Sequence, residues 1–222
     1  DTTPLGSDWD FGGYSADGAR AWGSFRAADG SRHGFVTKPD WTGVMDITPS
    51  GATDSWISGV SPDGSRAWGT FNAADGSRHL FITKADWTGV VDITPAGSGL
   101  PFITGVSADG SKVWGDFLEV QARPAMLSGD SSNIFITRSF ICKTDGTGEI
   151  NLTPVGAADS WIKGFLNEGS RAWGEFRAAD GSKHLFICKT DGTEVVDLTP
   201  AGAYLSSIDG FSPDRSRAWG SF

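Results

Sequence analysis

The sequence predicts an all-β protein built from repeated four-stranded units, and three features of the chain support this fold class. Glycine accounts for 31 of the 222 residues, which is about twice its ordinary usage. The tripeptide Ala/Val-Trp-Gly occurs five times, with spacings of 46, 46, 59 and 46 residues, at Trp22, Trp68, Trp114, Trp173 and Trp219. No segment shows the spacing of a long amphipathic helix, so short strands separated by glycine-rich turns are expected.

The unit from Trp56 to Pro95 shows the four predicted strands most clearly. A Pro-Asp-Gly-Ser turn joins the first two strands, and Gly64 can adopt a positive φ there. An Ala-Ala-Asp-Gly-Ser turn and an Ala-Asp-Trp-Thr-Gly turn make the next two connections, and Pro95 opens the loop to the following unit. The predicted bounds are strand A at Trp56–Ser61, strand B at Arg66–Phe71, strand C at His79–Lys84 and strand D at Val90–Thr94.

Four strands repeated every 40 to 50 residues, roughly, are typical of a β-propeller. We therefore predict a single propeller domain over 1–222 with about five blades. A β-sandwich, which gives no reason for a 46-residue period, and a stacked solenoid of four-stranded units are the alternatives. The repeats are expected at about 10–55, 56–101, 102–160, 161–206 and, in part, 207–222, with 1–6 as a leading D strand.

The predicted strands do not complete five blades. Five A, five B, four C and five D strands are expected, so the last blade has no strand C. Three explanations fit this count: the recorded chain stops early, the last blade is completed differently, or the units belong to a larger ring.

Two motifs within the repeats resemble known bacterial repeat families. The run G-V-S-P-D-G-S-R-A-W-G, followed by V-V-D-I-T-P-A-G, resembles the YVTN-type propeller repeats of surface-layer proteins. The His-x-Phe motif is similar to the His-Ala-Phe repeats of extracellular proteins, although its middle residue is Gly or Leu; it occurs at His33/Phe35, His79/Phe81 and His184/Phe186. The third unit has Arg138-Ser139-Phe140 instead. The resemblance implies a secreted or surface-exposed propeller but no particular reaction.

The charge balance argues against two classes of partner. The chain has 18 basic and 27 acidic residues, a net charge of −9, whereas a phosphate-binding surface needs clustered Lys and Arg. Nucleic acid and anionic membrane surfaces are therefore unexpected partners. No run of 18 apolar residues predicts a membrane span. We also expect no signal peptide, and a start in mid-pattern fits a processed or excised chain.

Residues that recur at one position of several repeats are expected to be structural. The Ala/Val-Trp-Gly tryptophans should pack one blade on the next. The histidines should bond to backbone or to a nearby Asp, and they lack the spacing of a zinc site. The Asp residues of the Asp-Gly turns should bond their own backbone. Cys142 and Cys188 are expected to be free, buried thiols, since equivalent positions on adjacent blades exceed disulfide reach. No catalytic residue, metal or cofactor is predicted.

Aromatic residues that break the repeat symmetry are the best candidates for ligand binding. Trp56, Phe102 and Trp161 open strand A, whereas units one and five have Asp10 and Ser207 there. If strand A is innermost, these aromatic rings lie at the channel mouth, on the face that carries the D-to-A and B-to-C connections. Aromatic faces stack on the apolar surfaces of sugars or on partner side chains. The alternative is that they only line the rim of the channel.

A second aromatic pair, Trp41 and Trp87, occupies the C-to-D turn of units one and two. Units three and four have Gly146 and Gly192 there. No need for these tryptophans in a core is apparent, so binding and structural roles are both open. They lie on the opposite face from the first set, so the two sets cannot form one site.

A 13-residue insertion separates strands B and C of the third unit, within Glu119–Asn133. It is predicted to be a loop. Insertions in repeat proteins often lie on the binding face, so its Arg123 is a further candidate ligand-binding residue. A neutral decoration is the alternative.

These observations favour a secreted, non-enzymatic binding module, most plausibly one that binds carbohydrate through several weak sites. A structural or protein-interaction propeller of a surface layer or an extracellular assembly is the second hypothesis, because unpaired strand edges at the two ends can pair with another chain. A hydrolase or lyase acting at the channel mouth is the third. A residue that every repeat shares is rarely a unique catalyst, which disfavours the enzyme.

Overall fold

The computed structural model describes residues 6–87, 89–121, 134–166, 169–204, 206–212 and 217–221. These residues form 18 β-strands in five antiparallel sheets. Across the same ranges, we find no helix with the length and apolarity needed to cross a membrane. The predicted leading D strand at 1–6 falls almost wholly outside the described residues.

Four sheets contain four strands each, and their strand order follows the predicted A-B-C-D order. The strands of the first two sheets are β1 Ser7–Tyr14, β2 Ala21–Arg26, β3 Arg32–Thr37, β4 Met45–Asp46, β5 Asp54–Val60, β6 Ala67–Asn72, β7 Arg78–Thr83 and β8 Val90–Asp92. The strands of the next two are β9 Ser98–Val106, β10 Lys112–Gln121, β11 Ile134–Lys143, β12 Ile150–Asn151, β13 Asp159–Leu166, β14 Arg171–Arg177, β15 Lys183–Lys189 and β16 Val196–Asp197. The fifth sheet pairs β17 Ser207–Phe211 with β18 Ala218–Ser221.

The chain divides into two compact units. One runs from the start of the described chain to Val113 and includes Cys142–Gly148, and the other contains Trp114–Ile141 and the residues from Glu149 onward. The core of the first unit includes Val36, Ile57, Phe71 and Phe81. The core of the second includes Ile141, Leu152, Ile162 and Phe186. The single domain over 1–222 stays a prediction.

Strand A carries a β-bulge beside the repeated tryptophan. In the second blade, Ile57 pairs with Gly69 and Gly59 pairs with Trp68, so Ser58 is an extra residue with no opposite partner. The ring of Trp68 lies so close to Gly59 that a Cβ there would come within 2.6 Å of it. Because glycine supplies the space for this ring, the bulge and the tryptophan form one packing unit.

The Ala-Trp-Gly tripeptide occupies a crowded stretch of strand B, as its repetition predicts. Ala67 is fully buried, and Trp68 is half-buried. A Cβ at Gly69 would lie 1.9 Å from the backbone oxygen of Trp56, so no larger residue fits. In the other blades Trp22 and Trp114 pack against the cores of their own units. These tryptophans are therefore part of the packing.

Strand D is shorter than predicted, since β8 ends at Asp92 rather than at Thr94. The side chain of Asp92 accepts a hydrogen bond from the backbone N–H of Thr94, at 2.9 Å. Thr94 Oγ1 in turn accepts the backbone N–H of Leu80 on strand C, at 2.8 Å. A side-chain oxygen thus replaces a backbone carbonyl in the ladder, which ends the strand.

The prediction that the insertion of the third blade is a loop was wrong at its start. Glu119 lies in β10, and Arg138 lies opposite in the lengthened β11. Arg138 Nε donates to Glu119 Oε2 at 2.7 Å, which ties the two extended strands together. Arg123 lies outside the described residues.

Candidate functional site

A surface cleft in the second unit contains one of the predicted aromatic residues, Trp161. Its volume is about 660 Å³. The cleft is lined by Trp161, Lys163, Glu175, Arg177, Gly181, Lys183 and Tyr204. Gly181 belongs to the B-to-C turn and Tyr204 to the D-to-A loop. Trp161 therefore lies on the face that carries these two kinds of connection.

The register of the fourth sheet brings the charged residues of the cleft together. Trp161 on β13 is opposite Glu175 on β14, and Arg177 is opposite Lys183 on β15. Alternation along β14 places Glu175 and Arg177 on the same face. The backbone N–H of Lys183 donates to the carbonyl of Tyr204 at 2.9 Å, which fixes the loop that carries the tyrosine ring.

Lys163 reaches the cleft because of a bulge. Ile162 pairs with Gly174 and Gly164 pairs with Trp173, which leaves Lys163 as the extra residue of β13. Bulges change the direction of a side chain relative to the regular alternation. The Nζ of Lys163 consequently comes within 3.5 Å of Glu175 on the neighbouring strand.

The three bases and one acid of the cleft, together with the adjacent Asp159, form ion pairs in which the acids are less exposed than the bases. Glu175 contacts the Nζ of Lys183 at 3.0 Å as well as that of Lys163, and Asp159 contacts Arg177 at 3.7 Å. The acid side chains are only 17% and 19% exposed, whereas Lys163, Arg177 and Lys183 are 43%, 55% and 37% exposed. The surface that meets solvent is therefore positive, although the chain as a whole carries −9.

Two aromatic side chains flank these charges. The guanidinium carbon of Arg177 lies 6.0 Å from the ring centroid of Trp161, within the range of a cation–π contact. Tyr204 is one of the most exposed aromatic residues of the described chain, at 65%. Trp161 is half-buried. The cleft thus offers aromatic surface and hydrogen-bond donors side by side, which is the combination found in small-molecule binding sites.

The other predicted strand-A residues do not line this cleft. Trp56 is half-buried on β5, and Phe102 is exposed on β9. Both belong to the first unit. The structure therefore gives Trp161, but not Trp56 or Phe102, a place in this cleft.

Trp41 and Trp87 make contacts that the sequence does not reveal. Both adopt a positive φ, 65° and 63°. Trp87 packs against the core of the first unit, and the guanidinium of Arg20 lies 5.4 Å from its ring centroid. Trp41 lies 5.8 Å from Phe11, ring to ring. A second, smaller cleft of about 500 Å³ lies beside these turns and is lined by Ala19, Arg20, Lys38, Pro39 and Asp40.

The histidines bond to nearby aspartates, as predicted. His184 Nδ1 lies 2.6 Å from Asp197, and its Nε2 lies 2.8 Å from Ser182 Oγ. The second blade repeats the pattern with Ser77, His79 and Asp92. In the first blade His33 lies 2.6 Å from Asp46.

These distances match those of a Ser-His-Asp catalytic triad, but the serine is held in another role. Ser182 Oγ donates to Asp180 at 2.5 Å, and a hydroxyl has a single proton. The hydroxyl proton of Ser182 is therefore directed at Asp180 and not at the ring nitrogen of His184. Ser182 is also only 4% exposed. The network links a turn to strands C and D rather than activating a nucleophile.

The aspartates of the turns are stabilised as carboxylates. Ser182 Oγ and its backbone N–H both donate to Asp180, which lowers the pKa of that carboxyl. In the third blade, hydrogen bonds from Ser107 and Ser111 lower the pKa of Asp109 to about 2. Within the described ranges, no group of three or more His, Cys, Asp or Glu residues is arranged to hold a metal ion.

The cysteines are free and buried, as predicted. Burial, followed by the nearby charge of Asp191, raises the pKa of Cys188 to about 11. A thiol with this pKa remains protonated at neutral pH and is a poor nucleophile.

The four-stranded antiparallel sheets with a 46-residue repeat define the protein as a β-propeller by fold, and solved structures agree. The chain resembles a protein of Agrobacterium tumefaciens assigned as TolB, with a TM-score of 0.50, 14% identity, and coverage of 98% of this chain and 81% of that one. It also resembles the tricorn protease, with a TM-score of 0.53, 11% identity, and coverage of 96% of this chain and 24% of that one. Both are propeller structures.

A third similar structure is TolB from Acinetobacter baumannii, with a TM-score of 0.47, 19% identity and coverage of 89% of this chain. The present chain spans 44% of that TolB chain, which is less than half. No protein-family model matches the sequence, and no curated protein matches it. At these identities, the comparisons establish the propeller fold alone.

Proposed function

We propose that this propeller is a secreted or cell-surface binding module that takes carbohydrate into the cleft around Trp161. The observation that carries this proposal is the pairing of Trp161 and Tyr204 with exposed Lys and Arg side chains around one cleft of about 660 Å³. Aromatic faces bind the C–H surfaces of a sugar ring, and the charged groups bind its hydroxyls. The repeat resemblance to extracellular bacterial proteins supports the location.

The non-enzymatic part of the proposal rests on the serine and histidine network. Its serine donates to Asp180 and is buried, so it cannot act as a nucleophile through His184. The same network recurs in the second blade, as expected of contacts that stabilise the fold. A hydrolase or lyase at this face remains the third hypothesis, to be tested by assay.

A glycan-array screen tests the carbohydrate proposal, with Trp161→Ala as the key variant. Trp56→Ala is the matched control, because Trp56 occupies the same strand-A position, does not line the cleft and has no counterparts of Lys163, Glu175 and Arg177 beside it. We expect array binding that Trp161→Ala reduces at least tenfold and Trp56→Ala leaves unchanged. Binding that survives in Trp161→Ala would move the site toward Arg20, Lys38 and Trp41. A blank array for the unmodified protein would rule out carbohydrate.

An interaction role for the fifth sheet is a second candidate function. In the described residues, no third strand pairs with β18. Ala218 of β18 is exposed, whereas its counterparts are fully buried, namely Ala21, Ala67 and Ala172. An exposed strand edge of this kind can receive a strand from another chain.

Sedimentation at increasing protein concentration tests this second function. If β18 mediates assembly, the protein should form concentration-dependent oligomers, and Ala218→Lys should keep it monomeric. Ala67→Lys is unsuitable as a control because Ala67 is buried, so Ser50→Lys, at an exposed residue outside β18, serves instead. A protein that stays monomeric at high concentration would argue against assembly.

A further inference from the structure

Resting on the proposed function, we propose that the cleft around Trp161 selects acidic saccharides and binds the carboxylate of a uronic acid residue. The starting point is a local inversion of charge. Lys and Arg are outnumbered 18 to 27 by Asp and Glu over the chain, yet three bases and one acid line this cleft.

The exposed fractions of the paired side chains show that a ligand would meet the positive charges first. Glu175 contacts both lysines, and its side chain is only 17% exposed, so it is less accessible to a ligand than they are. Each lysine ammonium has three donors, and its contact with Glu175 uses one of them. The remaining donors of Lys163 and Lys183 are available to a ligand, so Glu175 acts as a positioning residue for the two cations.

Arg177 is the third base of the cleft, and its planar guanidinium can make hydrogen bonds that a lysine ammonium cannot. Its side chain is 55% exposed, and its contact with Asp159 is long, at 3.7 Å. The planar guanidinium matches the planar carboxylate, to which it donates two parallel hydrogen bonds. Because its guanidinium carbon lies 6.0 Å from the centroid of the Trp161 ring, a uronic acid ring that contacts Trp161 would bring its carboxylate within reach of Arg177.

The equivalent surface of the second blade lacks this arrangement. There Trp56 is retained, but Ser58, Thr70 and Asn72 stand in place of Lys163, Glu175 and Arg177. Arg78, at the position of Lys183, donates instead to Thr70. The aromatic residue and one exposed cation, Arg78 in place of Lys183, are thus shared between the two blades, whereas the second blade has no counterpart of the cations Lys163 and Arg177. This difference is expected where charge determines which sugar binds.

Calorimetric titration with an oligosaccharide of uronic acid residues, beside its carboxyl-reduced neutral counterpart, tests the proposal. We expect the acidic form to bind at least tenfold more tightly, with the preference falling as salt is raised. Lys183→Gln should weaken binding of the acidic form about tenfold. Arg78→Gln is the matched control and should leave it unchanged. Thermal unfolding of each variant checks that the fold is retained.

Glu175→Gln gives a test of opposite sign. The glutamine amide oxygen can still accept a hydrogen bond from a lysine and so keep part of the positioning, while the negative charge is lost. The affinity for the acidic form should therefore rise two- to fivefold, and the affinity for the neutral form should not change. Equal binding of the two forms, lost in Trp161→Ala, would overturn the acidic preference and leave the carbohydrate proposal intact. Stronger binding of a sulfated oligosaccharide that has no carboxylate would overturn the assignment to carboxylate. Binding of no oligosaccharide would overturn both proposals.

Discussion

The backbone N–H of Leu80 donates to the side-chain oxygen Oγ1 of Thr94, at 2.8 Å, where a strand D would otherwise supply a carbonyl. The same bond joins Gly34 to Thr48, Ser139 to Thr153 and Leu185 to Thr199. The repeated Asp/Asn-x-Thr-Pro sequence therefore closes each four-stranded sheet at its outer edge.

Thr94→Val should destabilise the protein by about 1–3 kcal/mol, because it leaves the N–H of Leu80 without its acceptor. Thr94→Ser keeps the hydroxyl and should lose much less. Urea unfolding of the two variants, followed by tryptophan fluorescence, measures the difference. Equal stability of the valine and serine variants would show that the hydroxyl contributes little.

Gly69→Ala should destabilise the protein by about 3 kcal/mol, because the new methyl group would collide with the backbone of strand A. Gly89→Ala is the control, since a Cβ at Gly89 meets no atom within 4 Å. That change should be neutral or slightly stabilising. Thermal and urea unfolding would report the contrast, and a tolerated Gly69→Ala would contradict the close approach of the two strands.

The thiols should resist alkylation while the protein is folded. Cys142 and Cys188 are buried, and the pKa of Cys188 is raised to about 11, so the reactive thiolate is scarce at pH 8. A colorimetric thiol assay should detect almost no reaction in buffer and two thiols in urea. Fast labelling of the folded protein would mean that β11, which carries Cys142, or β15, which carries Cys188, opens readily.

The turn at Asp109 should make stability depend on pH in the acid range. Its folded pKa is about 2, below the ordinary 3.8. A depressed folded pKa stabilises the protein at pH values above the ordinary pKa, and the contribution disappears as the pH falls through about 2. Unfolding free energy should therefore drop between pH 4 and pH 2. Asp109→Asn, which keeps an acceptor oxygen but does not titrate, should reduce that slope.

The repeat period was sufficient to predict the sheets, because each blade is built from contacts within some 46 residues of sequence. The packing of a residue whose contacts come from distant parts of the sequence could not be predicted from the repeat period. Trp87 looked free of any core, yet it packs beside Arg20, which lies 67 residues earlier. The end of strand D was misplaced because a threonine side chain continues the hydrogen-bonding pattern.

The cleft was only partly predictable for a similar reason. Trp161 was identified as an aromatic residue that breaks the symmetry, but its companions were missed. Tyr204 comes from the connection to the next repeat, and Lys163 reaches the cleft only because the bulge of β13 alters the alternation. Comparing charges position by position across the repeats would have singled out Lys163 and Glu175.

The bulge in strand A also creates a position whose residue differs from blade to blade. The extra residue faces no partner across the ladder, and four blades have four different side chains there, namely Gly12, Ser58, Lys163 and Asp209. The next residue is glycine in every case. After duplication of an ancestral repeat, mutations at this position would change the side chain that contacts a ligand. The adjoining glycine and tryptophan would keep the packing of the blade. The same position is the natural one to randomise when recognition is to be redirected in the laboratory.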